Sequence, residues 1–167
     1  MDKYSRQIGA FGMETMSKLI TLKALIVGLK GVGIETAKNL ILAGPGRVSL
    51  HDNAPTTMED LGSNFFLTES EVGQGRAEVC APKLQELNSM VSVRCVGGEL
   101  SEEVVGDHDV VVMTLGNIDE LKRWTTFCHE RGIAFISCEV RGVVGYAFSD
   151  FNTHTIKDKT GEAPVTR

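Results

Sequence analysis

The sequence predicts an α/β domain with a mostly parallel sheet flanked by helices. Three observations carry this. Short, continuously apolar runs recur along the chain, helical patterns separate them, and a glycine-rich turn joins the first run to the first helical pattern. Continuous apolar runs suit strands covered on both faces, and strict strand–helix alternation implies right-handed parallel crossovers. The predicted strands are "KALIVG" (23–28), "RVSLHD" (47–52), "VSVRCV" (91–96), "DVVVMT" (109–114) and "IAFISC" (133–138).

The helices follow from period and end signals. "GIETAKNLILAG" aligns Ile34, Ala37, Leu40 and Ile41 on one stripe and stops at Gly44 before Pro45. "GRAEVCAPKLQELN" turns Ala77, Val79, Cys80, Leu84 and Leu87 inward, with Pro82 expected to kink or delay the helix. "NIDELKRWTTFCHERG" opens on Asn117, a good N-cap, and closes at Gly132. Residues 52–75 form a long polar connection, of a length often tied to function. Residues 1–149 read as one domain. Residues 150–167, with the hairpin-like "DKTGE", read as the beginning of another that stops abruptly at Arg167.

A chain of 167 residues holds one ordinary core. Its 42% hydrophobic and 23% charged content is that of a globular protein. The net charge of −5 argues against nucleic-acid binding. No apolar run approaches the ~18 residues of a membrane span, and "MDKYSRQIGAFG" lacks a signal-peptide layout. Cys80, Cys95, Cys128 and Cys138 form no C-x-x-C pair and read as reduced thiols, three of them among apolar residues, with a zinc site or a catalytic thiol as the alternative.

The turn between the first strand and helix reads Gly28-Leu-Lys30-Gly31-Val-Gly33. In a Rossmann-like dinucleotide fold the first glycine makes the tight turn, the second admits the pyrophosphate, and the third lets helix and strand close up. Gly28 and Gly33 fit the first and third roles. Lys30 stands in the second, where its side chain crowds a seated phosphate, although its charge could reach an anion from further out. Asp52, ending the second strand, is the candidate ribose-binding acid. The nucleotide fingerprint is therefore half present.

"YSRQIGAFG", the glycine turn, "VSLHDNAPTTMEDLGSNFFLTESEVGQGRAEVCAPKLQELN" and "RGVVGYAFSDF" together resemble the ubiquitin-activating enzymes of the ThiF/MoeB-like adenylating superfamily. The likeness runs from about Tyr4 to the end and is greatest to the inactive first adenylation half. In that family two Rossmann-like halves pack face to face. One binds ATP and magnesium and adenylates the carboxy-terminus of ubiquitin or a ubiquitin-like protein. The resemblance implies that the active half's arginine falls on Ser63, its lysine on Arg76 and its magnesium-binding aspartate on Gly116. Serine offers no guanidinium fork, and glycine offers magnesium no oxygen. No metal site and no cofactor are expected in this domain itself, with ATP and magnesium held by the active half.

The resemblance also implies that Arg6, in "YSRQ", reaches the ATP phosphates of the partner half in trans, with Tyr4 and Gln7 positioning the segment. The bland alternative for Arg6 is a surface arginine beside a helix. Expected partners are the active half, ubiquitin or a ubiquitin-like protein, and a conjugating enzyme. The expected location is cytoplasmic and nuclear, and the tail resembles the start of the first catalytic-cysteine half-domain. Two rivals stand beside this reading: a homodimeric adenylating enzyme for a sulfur-carrier protein, and an NAD-dependent oxidoreductase using Asp52.

Other residues carry weaker signals. His51-Asp52 could suggest acid–base work, with no nucleophile near it in sequence. Phe65-Phe66 is expected to pack on the sheet or the partner half. Asn117 is expected to cap its helix. Glu139, Arg141 and Gly142 are placed after the fifth strand, where the chain turns into the tail.

Overall fold

Five apolar runs become five parallel strands because each supplies side chains to both faces of one sheet. The computed structural model describes residues 5–154. The strands are β1 (Lys23–Val27), β2 (Arg47–His51), β3 (Ser92–Cys95), β4 (Val110–Met113) and β5 (Ala134–Arg141), with β6 (Val144–Asp150) completing the sheet. Their order is β3-β2-β1-β4-β5-β6, parallel except for the antiparallel β5–β6 hairpin. The sequence order of the strands therefore reverses between β1 and β4, the switch point where such folds open a crevice.

Alternate residues divide between two cores. Ile26 and Val112 join the side chains of α3 (Gly31–Ala43) and α4 (Arg76–Gln85) on one face. Leu25, Val27, Val111 and Met113 meet α6 (Ile118–Arg131) on the other, where Trp124 and Phe127 stack edge-on at 5.6 Å. Fully burying one such aliphatic side chain is worth about 1.5–3 kcal/mol, so a polar residue in β1 or β4 would be costly on either face.

The predicted helix ends hold. Gly44 and Gly132 adopt left-handed conformations at the ends of α3 and α6, and the Asn117 side chain accepts the Asp119 and Glu120 N–H groups, each at 3.0 Å. Pro82 does not delay α4, which starts at Arg76 and continues to Gln85. A proline there deprives only the Glu78 carbonyl of a helical donor, and Pro82 lies on the exposed side, where water can serve.

Three features depart from the sequence expectation. Two helices, α1 (Ser5–Phe11) and α2 (Met13–Thr21), precede β1, and a short α5 (Glu102–Gly106), capped by Ser101, precedes β4. β5 runs three residues past the predicted end, so Glu139 and Arg141 lie within it, joined by a 2.8 Å bond from Arg141 Nε to Glu139 Oε1. Gly142, at φ 60°, turns the chain into β6 rather than into a tail. The "DKTGE" turn lies outside the described residues, as does Tyr4.

Candidate functional site: a crevice whose acid is already paired

Close approach of backbone segments explains both outer glycines of the turn. Gly28 has φ 89°, and a Cβ there would lie 2.6 Å from the Leu115 side chain. A Cβ on Gly33 would sit 1.9 Å from the Gly28 carbonyl oxygen, so helix and strand could not close. Between them Lys30 is extended and exposed, and its side chain does not cap α3. Gly31 faces Ser63, with an ideal Cβ 3.4 Å from the serine's own. Lys30, Gly31 and Ser63 thus share one open cleft of about 1140 Å³ with Glu35 and Glu139. Its single lysine faces two carboxylates, a poor balance for a polyanion.

A second crevice, of about 450 Å³, opens at the carboxyl ends of β1, β2 and β4, lined by Gly28, Asp52, Asn53, Glu99, Gly116, Glu120 and Arg123. Here the structure spends the ribose-type acid. Asp52 Oδ2 accepts from Arg76 Nη1 at 2.6 Å and from the Leu29 N–H at 2.8 Å, while Oδ1 accepts the Ala54 N–H at 3.0 Å. Arg76, only 1% exposed, also donates from Nη2 and Nε to Asp60 Oδ2 at 2.8 and 3.2 Å. Burial pushes the Asp60 carboxyl up, but the Thr57 N–H and the Arg76 guanidinium outweigh it and hold it below the usual range.

His51 and Asp52 do not act as a pair. His51 Nε2 donates to the Gly98 carbonyl at 3.0 Å, and Asp52 is held by Arg76. Gly116, where the resemblance places a metal ligand, has φ 142° and faces Glu120, whose Oε2 accepts the Asn117 N–H at 3.0 Å. The crevice therefore presents Glu99 and Glu120 with one cation, Arg123, beside them. A nicotinamide dinucleotide would meet at Asp52 a carboxylate already held by Arg76 and two backbone N–H groups. No group of His, Cys, Asp and Glu side chains suited to a metal occurs among the described residues.

Arg6 stands apart from both clefts, exposed on α1, with no hydrogen-bond or ion-pair partner among the described residues. Phe65 and Phe66 part company: Phe66 packs on the α3–α4 core, whereas Phe65 is 92% exposed. The cysteines are all free thiols; Cys80 and Cys128 are buried, Cys138 is half-buried and Cys95 is exposed. Burial pushes the Cys128 thiol up to about 11, so it is inert as a nucleophile at neutral pH.

Sequence reasoning missed Asp60 as the second partner of Arg76, and Glu99, Glu120 and Arg123 as lining groups. One signal was available for Asp60. Thr57-Met-Glu-Asp60 has capping-box spacing, and the structure shows both reciprocal bonds.

The ThiF family profile matches residues 4–160. The chain belongs to the ThiF family. Among curated relatives, the wheat (Triticum aestivum) protein named ubiquitin-activating enzyme E1 1 is 45% identical over 99% of this chain and 16% of its own length. The human ubiquitin-like modifier-activating enzyme 1 is 42% identical over 98% of this chain and, again, 16% of itself. This ThiF-family chain thus spans about a sixth of the relatives it matches. The crystal structure of E. coli MccB with succinimide shares the fold, with TM-score 0.70 and 22% identity, over 81% of this chain and 44% of that one.

Proposed function

We propose that this chain is the non-catalytic adenylation-like half of a ubiquitin-activating enzyme. It packs on an active half that holds ATP and magnesium and supplies Arg6 in trans to that ATP. One observation carries the reading: across its two clefts the residues that would do chemistry are substituted or engaged, while Arg6 has no partner among the described residues. Ser63 and Gly116 offer neither guanidinium nor carboxylate, and Asp52 and Arg76 neutralise each other. Adenylyl transfer depends on positioning and on charge neutralisation at the phosphates, and in this crevice Arg123 stands among Asp52, Glu99 and Glu120.

Through the complete enzyme the partners are ubiquitin or a ubiquitin-like protein and a conjugating enzyme, in cytoplasm and nucleus. The identity to enzymes named for activating ubiquitin and ubiquitin-like modifiers supports this assignment. Exposed Phe65 and the apolar side chains of β6 suit a covered face.

Calorimetry of the isolated chain with magnesium ATP is expected to show no saturable binding. In the complete enzyme, Arg6→Ala is expected to slow ATP–pyrophosphate exchange while leaving the fold intact. Exchange at the unmodified rate would remove the trans role, and micromolar ATP binding by the isolated chain would remove the non-catalytic one.

A further inference from the structure

The helix that carries Arg6 is attached to the domain in an unusual way. α1 buries none of its residues. α2, by contrast, is fixed: Met16 is buried, the Leu22 carbonyl accepts the Arg47 N–H at 3.0 Å, and the Ile20 carbonyl lies so close to Gly46 that a Cβ there would sit 2.6 Å away. Between this arm and the fixed helix stands one residue, Gly12. Its φ of 82° and ψ of 161° lie in a region that is essentially glycine-only. It is bonded on both sides, since its N–H reaches the Ile8 carbonyl at 2.8 Å and its carbonyl accepts the Met16 N–H at 3.2 Å. A Cβ added at Gly12 would touch nothing within 4 Å. Glycine is therefore required by the backbone angle alone, not by packing.

We propose that Gly12 is the joint that aims Arg6, a positioning residue for the adenylation reaction; this rests on the trans role of Arg6 proposed above. Arg6 lies six residues from Gly12, so at 1.5 Å per residue its Cα stands about 9 Å along the arm. An L-residue at 12 would leave the glycine-only region, a change in φ of more than about 100°. Even a 30° residual tilt of α1 would move Arg6 by about 5 Å at that lever length. Misplacement of a contact group by about 1 Å can cost a hundredfold in rate. Within α1 only Gln7 and Ile8 are half-buried, so its packing does little to pull the arm back.

The test is a double-mutant cycle in the complete enzyme, read by ATP–pyrophosphate exchange. Arg6→Ala alone checks the trans role itself, and if it leaves exchange unchanged, that role and this inference fall together. With Arg6→Ala slow, Gly12→Ala is expected to slow exchange about tenfold or more, and the double variant is expected to match Arg6→Ala within about twofold. Gly12→Ala at the unmodified rate would overturn the aiming role while leaving the trans role standing. So would a double variant slowed by the product of the two single effects, because Gly12 would then act independently of Arg6. A D-alanine at position 12, introduced by semisynthesis, takes positive φ with the same side chain. It is expected to restore the rate, and a D-alanine enzyme as slow as the L-alanine one would also overturn the proposal.

Discussion

Arg76 Nη1 lies 2.6 Å from Asp52 Oδ2, and both side chains are almost wholly buried. Asp60 completes the group on the other side of the guanidinium at 2.8 Å. One cation so placed ties the end of β2, the 52–75 connection and the start of α4 together. Removing a partner from a buried ionic group leaves uncompensated charge and costs about 3–5 kcal/mol. Arg76→Met, which keeps bulk and removes the cation from two aspartates, is expected to destabilise the chain by about that amount. Denaturant unfolding measures it, and a loss under about 1 kcal/mol would mean that the group does not hold the connection. The acid limb has a definite sign. Asp60's folded value is depressed, so its contribution is present above the unfolded carboxylate pKa of about 3.9 and disappears as pH falls through the lower folded value.

Gly116 explains why an aspartate placed at that position should not create a magnesium ATP site. Its φ of 142° is strained for any L side chain, at a cost of about 1–3 kcal/mol. Its Cβ would point at Glu120 Oε2, 3.5 Å away, so a new carboxylate would meet an old one. Gly116→Asp combined with Ser63→Arg is expected to lower stability and to gain no saturable magnesium ATP binding by calorimetry. A micromolar site in that variant would show that only those two residues were lacking.

His108 makes the fold pH-sensitive. Its Nδ1 lies 2.7 Å from the Val104 carbonyl, which can only accept, so the proton sits on Nδ1. Nε2 then accepts the Ser49 hydroxyl at 2.7 Å. Burial pushes the ring's pKa below its ordinary value, the Val104 bond pushes back, and Arg47 lowers it again. The folded chain thus favours neutral His108. Its contribution is fully present above the unfolded value of about 6.5 and shrinks as pH falls from there toward the lower folded value. Neighbouring Asp107 adds no slope in that window, because bonds from Lys23 and Arg47 hold it at about 2. An NMR titration of the imidazole is expected to show a midpoint below 6.5. A midpoint above it would mean that the charged ring is favoured instead.

Where the sequence could be read, the physics was local or periodic. β1 beyond exposed Lys23 and β4 face a core on each side, so both are apolar runs, and Asn117, Gly44 and Gly132 mark helix ends by their own chemistry. The Arg76 group was not legible because Asp52, Asp60 and Arg76 are brought together by an aperiodic connection, and spacing says nothing about such a meeting. β6 was hidden for a different reason. "VGYAFSD" has glycine and alanine at alternate positions and almost no burial, so it lacked the apolar continuity that revealed the other strands. α1 was hidden likewise, since it buries nothing.

That same lack of burial on β6 leads to the last expectation. Val144, Tyr146 and Phe148 alternate along the strand and so share one face. Tyr146 and Phe148 are 49% and 51% exposed, and with Ile118 and Leu121 of α6 they line a groove of about 340 Å³. An outer strand with aromatic side chains open to water is a surface that soluble chains usually cover or charge. The chain alone is therefore expected to self-associate as its concentration rises, measured by light scattering. Phe148→Asp should suppress that association with a change in unfolding free energy of about 1 kcal/mol or less, because the ring is half in water already. A chain that stays monomeric at high concentration would show that this face needs no cover. Association undiminished by Phe148→Asp would place the contact elsewhere, with exposed Phe65 the next surface to alter.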